Sequence, residues 1–263
     1  MPSIRTFPLR GGRSIRRPAT LRSAIAIAAL VALYGTFASS ASASAGESDW
    51  LGRINEIRAG ALLPPVTEEP AWSAGILAHL EYLAKTPQSF DTGAYQSAHT
   101  ENPASPFFTE AGAKEGESSD LTFGAHSDIE AIDTWLAVPF HAIGMLRPGL
   151  QKVAFARSPE TGDAGLDVIS GLAEYGMTQP LQVLYPGPGS TIDLPFYLGE
   201  EPSPIETCIA QHPGADYSRT GLPAIALLTE PPSPELSATM TRPDGSKVSS
   251  AGPELCVVTE HNF

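Results

Sequence analysis

The first 45 residues constrain this chain most, because they decide how much of it is left to fold and in which compartment. Arg5, Arg10, Arg13, Arg16, Arg17 and Arg22 form a basic stretch with no acidic residue, an apolar run follows from Ala24 to Ala38, and SSASASA closes the segment. Basic, apolar and small residues in that order are the pattern of an export signal, with Ala43-Ser44-Ala45 as the cleavage site before Gly46. The apolar run is shorter than the roughly 20 residues of a spanning helix. The expectation is a signal peptide over 1–45, a secreted, extracellular protein, and no stable membrane span after cleavage.

Removing the leader takes away six arginines and no acidic residue, which leaves 10 basic against 29 acidic side chains, net −19. A chain so acidic repels phosphate, so nucleic acid is excluded as a partner. Hydrophobic residues make up 42% of the chain and charged ones 17%, enough for a packed core and too few charges for a coiled coil or a charged disordered tail. An oxidising compartment allows Cys208 and Cys256, the two cysteines of the chain, to form a disulfide. Two unpaired buried thiols are the other reading.

Periodicity places helices in the first half. Asp49–Ala59 reads as one, with Leu51, Ile54 and Ile57 inward and Pro64-Pro65 beyond its end. Trp72, Ile76, Leu80 and Leu83 make the apolar stripe of a second, which Pro70 starts at its first turn. Ser127-Asp128-Ile129-Glu130 is a capping box for a third, which Pro139 stops. Short strands are expected at Val153–Ala156 and Leu166–Ile169. From Pro180 onward there are 13 of the 25 prolines, with candidate strands at Gln182–Tyr185, Ile192–Leu198, Ala224–Thr229, Leu236–Thr241 and Leu255–Thr259. Leu236, Ala238 and Met240 alternate with polar residues as in a half-buried strand, and Arg242-Pro243-Asp244-Gly245 reads as the turn that follows it. These residues divide the chain into an α+β domain over 46–178 and a small, mainly β domain over 179–263.

No nucleophile elbow, His-Glu-x-x-His, phosphate loop or Cys-x-x-Cys occurs. Four fragments, taken in order, resemble the CAP superfamily (cysteine-rich secretory, antigen 5, pathogenesis-related-1; also called SCP), in its bacterial, secreted form. Asn55-Glu56-Ile57-Arg58 with Leu63-Pro64-Pro65-Val66 is similar to the family's Asn-x-x-Arg and Gly-Leu-Pro-Pro-Leu opening. Ala78–Leu83 is similar to its second helix, Glu130–Trp135 to its Glu-Ala-Val-x-x-Trp helix, and Pro139-Phe140-His141-Ala142-Ile143 to its Ser-Pro-x-His-Arg turn, with Ala142 in the place of the arginine. The resemblance covers about 47–175. It implies an α/β fold, a three-layer α-β-α sandwich, with the β-rich tail as an extension.

The family carries two histidines and two glutamates around a cleft. Carried over, these are His99 and His141 with Glu130 and Glu117, Gly116-Glu117-Ser118-Ser119 standing where the family has Gly-Glu-Asn-Leu and Glu110 being the alternative. Two imidazoles with nearby carboxylates are also the chemistry of a weakly bound divalent cation such as Zn²⁺. Other roles compete: Glu130 as cap, His99 as a solvated loop residue, His79 as a packed core histidine, Trp135 as core. His126, His212 and His261 carry no spacing argument. The leading functional reading is a secreted binding module, for a divalent metal in the His/Glu cleft or for an apolar small molecule or cell-envelope component. The alternatives are a metal-assisted or serine-based extracellular hydrolase, and an adhesion or scaffold protein acting through the β domain. No catalytic residue is assigned, and the expectation leans away from an enzyme.

Overall fold

The computed structural model describes residues 49–86, 93–173, 182–194, 196–229 and 236–259; the expected leader, the boundary between 178 and 179, and His261 lie outside them. Helix α1 (Trp50–Gly60) starts where Asp49 Oδ1 accepts from the Gly52 N–H, at 2.9 Å. It ends in a tight C-terminal turn, with the Leu62 N–H on Ala59 O and the Leu63 N–H on Arg58 O. That turn places Leu62 at φ 61°, a left-handed conformation no other described non-glycine residue adopts. Helix α2 (Pro70–Lys85) has Pro70 at its first turn and buries Ile76, Leu80 and Leu83 as the stripe predicts. Trp72 is only half-buried.

One sheet contains β1 (Thr67–Glu68), β2 (Ser119–Thr122), β3 (Lys152–Arg157) and β4 (Ala164–Asp167), in the order β1-β3-β4-β2. β1 runs parallel to β3, while β3/β4 and β4/β2 are antiparallel. Side chains alternate across β3 as a strand requires. Val153 and Phe155 join one hydrophobic cluster with α1, α4 (Asp128–Leu136) and α5 (Pro139–Leu146), and Ala154 and Ala156 join another with α2. Opposite Ala156, Gly165 also faces α2, where an added Cβ would come within 2.7 Å of Ile76.

One strand expectation and one helix expectation in this half shift. β4 ends at Asp167, because the Asp167 carboxylate takes the Ile169 and Ser170 N–H groups and turns the chain out of the ladder, leaving Ile169 exposed. Pro139 stops α4 and also opens α5, which meets α4 at 105°. Helix α3 (Glu110–Ser118), capped by Thr109, packs on α2.

In the tail, β5 (Gln182–Tyr185) pairs with β6 (Ile225–Leu228), and β7 (Thr239–Thr241) with β8 (Lys247–Ser249) across the expected turn, where the Gly245 N–H donates to Arg242 O. Between them lies a helix, α6 (Pro204–Gln211). Val183, Tyr185 and Ile225 enter the same core as Trp50, Ile54 and Trp135, and the Tyr185 hydroxyl donates to Leu136 O. Cys208 and Cys256 are joined by a disulfide, Cα atoms 5.6 Å apart, within the range for a bridge.

Three tail strands depart from expectation. Ile192–Leu198 forms no strand among its described residues beyond an isolated bridge from Phe196 to Gly221, because Asp193 is pulled onto Arg53 at 2.7 Å. Leu255–Thr259 is held by the disulfide and by Gln211 Nε2 donating to Val257 O. Of the expected Leu236–Thr241 strand only β7 forms, exposed throughout with Met240 included, and Leu236 before it is exposed as well, since only Val248 of that hairpin is buried. No single described helix is long and apolar enough to cross a membrane.

Candidate functional site

The residues of the Asn-x-x-Arg motif build the frame. Asn55 clasps Val66 through both side-chain atoms, and Arg58, fully buried, donates to the carbonyls of Pro64, Met145, Arg147 and Leu150. Burial lowers its guanidinium to about 10. One side chain thus joins the end of α1 to the end of α5 and the approach to β3.

His99 lies on the loop after α2, and His141 in the first turn of α5. His99 Nδ1 is 3.0 Å from Gly116 O, so Nδ1 donates. His141 Nδ1 is 2.8 Å from Glu200 Oε2. The two imidazoles, 42 positions apart in sequence, lie close enough for the charge of one to act on the other. Burial pushes His99 down, and the charges of His79 and His141 add to this against the backbone oxygens of Gly116 and Ser119. Burial also acts to lower His141, but the Glu200 hydrogen bond and the charges of Asp120 and Glu200 prevail, and its net shift is upward.

Neither carboxylate at His141 belongs to the expected set. Glu200 comes from the tail; its side chain is 1% exposed, and it accepts from the Phe140 and His141 N–H groups. Asp120 comes from β2. Its Oδ2 is closed off from solvent without a hydrogen-bond partner, and burial lifts the carboxyl to about 7, with Glu200 adding and His141 and Arg147 opposing.

The expected glutamates are placed differently. Glu130 serves the start of α4: its N–H donates to Ser127 Oγ as a capping box requires, while its own Oε2 reaches one residue past the cap and accepts from the His126 N–H at 2.7 Å. Glu117, in the last turn of α3, and Glu110, in its first, are exposed. His79 is a packed core residue, joined to Glu101 Oε1 through Nδ1 and to Ala98 O through Nε2, while Glu101 Oε2 accepts from the Thr109 N–H. The pair ties the loop carrying His99 to α2 and to the start of α3.

Beneath Gly116 lies a second acidic pair. Asp167 Oδ1 holds the two backbone N–H groups that end β4, Glu115 Oε1 accepts from Lys114 Nζ, and the remaining oxygens, Asp167 Oδ2 and Glu115 Oε2, are buried. Both of those oxygens lack a hydrogen-bond partner, and burial, with the neighbouring Asp167 carboxylate adding to it, pushes the Glu115 carboxyl up against the pull of Lys114.

Among the described residues, no three His, Cys, Asp or Glu side chains converge as a metal site. Two imidazoles fall short of the three or four protein ligands of a zinc centre, so a resident metal does not fit. Two shallow depressions, of about 390 and 400 Å³, lie away from the histidines, against Trp50 and Phe155 and between α1 and residues 187–193. No protein-family model, curated protein or solved structure matches the chain.

Proposed function

We propose that this is a secreted binding module of CAP type, whose cleft lies between the His99 loop and the first turn of α5. The observation that supports the reading is that His99 and His141 are each anchored through Nδ1, on Gly116 O and on Glu200, with the charge of His141 acting on His99. The sandwich the resemblance implies is supported by β3, which sends alternate side chains to helix-lined clusters on its two faces. The conformation of Leu62 agrees as well, since the family's opening motif has its glycine there. The disulfide is consistent with export. At the rim, Phe196 and Leu198 are each 52% exposed just before Glu200, an apolar lip for a small molecule or envelope component.

With only two imidazoles on offer, Zn²⁺ binds weakly and is lost as acid protonates them. Calorimetric titration at neutral pH is expected to show weak binding in the wild type and none in His99→Ala or His141→Ala. Unchanged binding in both variants would sink the reading. A hydrolase is the second reading, favoured by the carboxylate-backed imidazole of His141, which resembles a base with its orienting group. Among the described residues, however, no serine or cysteine side chain hydrogen-bonds to either ring. The expectation is no turnover on a panel of peptide and ester substrates, with or without Zn²⁺; turnover that vanishes in His141→Ala would favour the hydrolase.

A further inference from the structure

Helix α5 has no cap of its own. Val138, at the N-cap, carries no hydrogen-bonding side chain, and Pro139 brings no N–H, so the Phe140 and His141 N–H groups are the first that need an acceptor. Glu200 supplies it from 59 positions further on. It accepts from Phe140 N at 3.0 and 3.1 Å and from His141 N at 3.3 Å. The tail holds it there, since the Glu200 N–H donates to Tyr197 Oη and the Tyr197 N–H to Thr220 O.

The same carboxylate reaches the His141 ring, and this contact has a chemical consequence that capping does not. Oε2 already accepts from the backbone, so in the 2.8 Å contact with His141 the proton belongs to Nδ1. A neutral imidazole with its proton on Nδ1 has its lone pair on Nε2. We propose that Glu200 is the positioning residue of the cleft: it docks the tail on the first turn of α5 and fixes His141 as the Nδ1–H tautomer, with Nε2 as the free acceptor. The cleft is then complete only with the tail in place. Its functional weight rests on the reading of His141 as a cleft residue; the tautomer itself does not.

The test uses the full exported chain and long-range ¹H–¹⁵N spectra at about pH 9, well above the usual imidazole range, with the His141 signals assigned by their loss in His141→Asn. Wild type is expected to show His141 as the Nδ1–H tautomer. Glu200→Ala should shift it to predominantly Nε2–H, added formate should restore the original form, and Glu200→Gln, which keeps an acceptor oxygen, should retain it. A wild-type His141 carrying its proton on Nε2, or a Glu200→Ala spectrum identical to wild type, overturns the proposal. Should Glu200→Ala not fold, Glu200→Asp takes its place, and the wild-type spectrum decides in either case. Zn²⁺ titration of the same samples separates the two ideas. A tautomer shift with unchanged Zn²⁺ affinity supports the proposal and counts against the cleft reading, and affinity that depends on His141 without any tautomer shift does the reverse.

Discussion

The raised carboxyl of Glu115 makes stability depend on pH in a direction opposite to that of a carboxylate whose charged form folding favours. The folded chain holds the Glu115 proton more tightly than the unfolded chain. Between the ordinary glutamate value and the raised one, the folded state therefore binds more protons, and this contribution to stability falls as pH rises through that window. Glu115→Gln replaces the carboxyl with a neutral side chain that cannot ionise. It should leave stability near pH 4 almost unchanged and raise the melting temperature at pH 7 by roughly 2–4 °C; equal shifts at both pH values would show that ionisation of Glu115 is not what weakens the fold. Leu62 offers an independent test. A left-handed non-glycine residue is strained by roughly 1–2 kcal/mol, and its side chain is 78% exposed, so Leu62→Gly should stabilise by about 1 kcal/mol in urea titration. Asn55 and Arg58 were legible in sequence as a spaced motif, and their contacts explain the spacing. Glu200 was not, because an acidic residue in an acidic loop has no local mark that distinguishes a partner 59 positions away.

At the level of elements, caps, prolines and the apolar stripe of α2 were readable, and packing through small residues was not. Asp49, Pro70 and Ser127 mark the starts of α1, α2 and α4 because each acts on its own first turn. Helix α3 was missed, since its sequence, EAGAKEGES, has no apolar stripe. Its buried face is Gly112, Glu115 and Gly116, which lets it lie directly against α2. A Cβ at Gly116 would fall 2.4–2.7 Å from the His79 ring, itself fixed at both nitrogens. Gly116→Ala should thus destabilise by about 2 kcal/mol, as overpacking does. Because Gly116 O holds His99, it should also displace the His99 signals in the same spectra. A variant as stable as wild type would mean that α2 and α3 are free to move apart. The β7 alternation misled for a related reason: period two reports a strand, while burial needs a second layer, and the hairpin has little beneath it.

For the molecule as a whole, the tail is joined to the rest by core and by site. β5 and β6 contribute to the main cluster, Asp193 meets Arg53, and Glu200 meets α5. Composition did not reveal this, since proline-rich strands look alike whether they fold alone or dock. The disulfide closes a loop of 48 positions within the tail, worth about 4 kcal/mol in the chain-entropy model. Cys208→Ser with Cys256→Ser should lower the melting temperature by several degrees and loosen α6 first, read by hydrogen exchange. An unchanged melting temperature would show the bridge to be dispensable.

The four acceptors of Arg58 bear on when this fold can form. One lies six positions along the chain, and the other three lie 87, 89 and 92 positions away. While the chain is being made, α1 therefore carries a guanidinium destined for the interior with almost nothing to donate to. Contacts between distant positions form late because closing a long loop is entropically unfavourable. Until residue 150 follows, hydration of that one cation opposes closing the core around α1, so the interior that Arg58 spans is sealed only after α5 and the approach to β3 have been made.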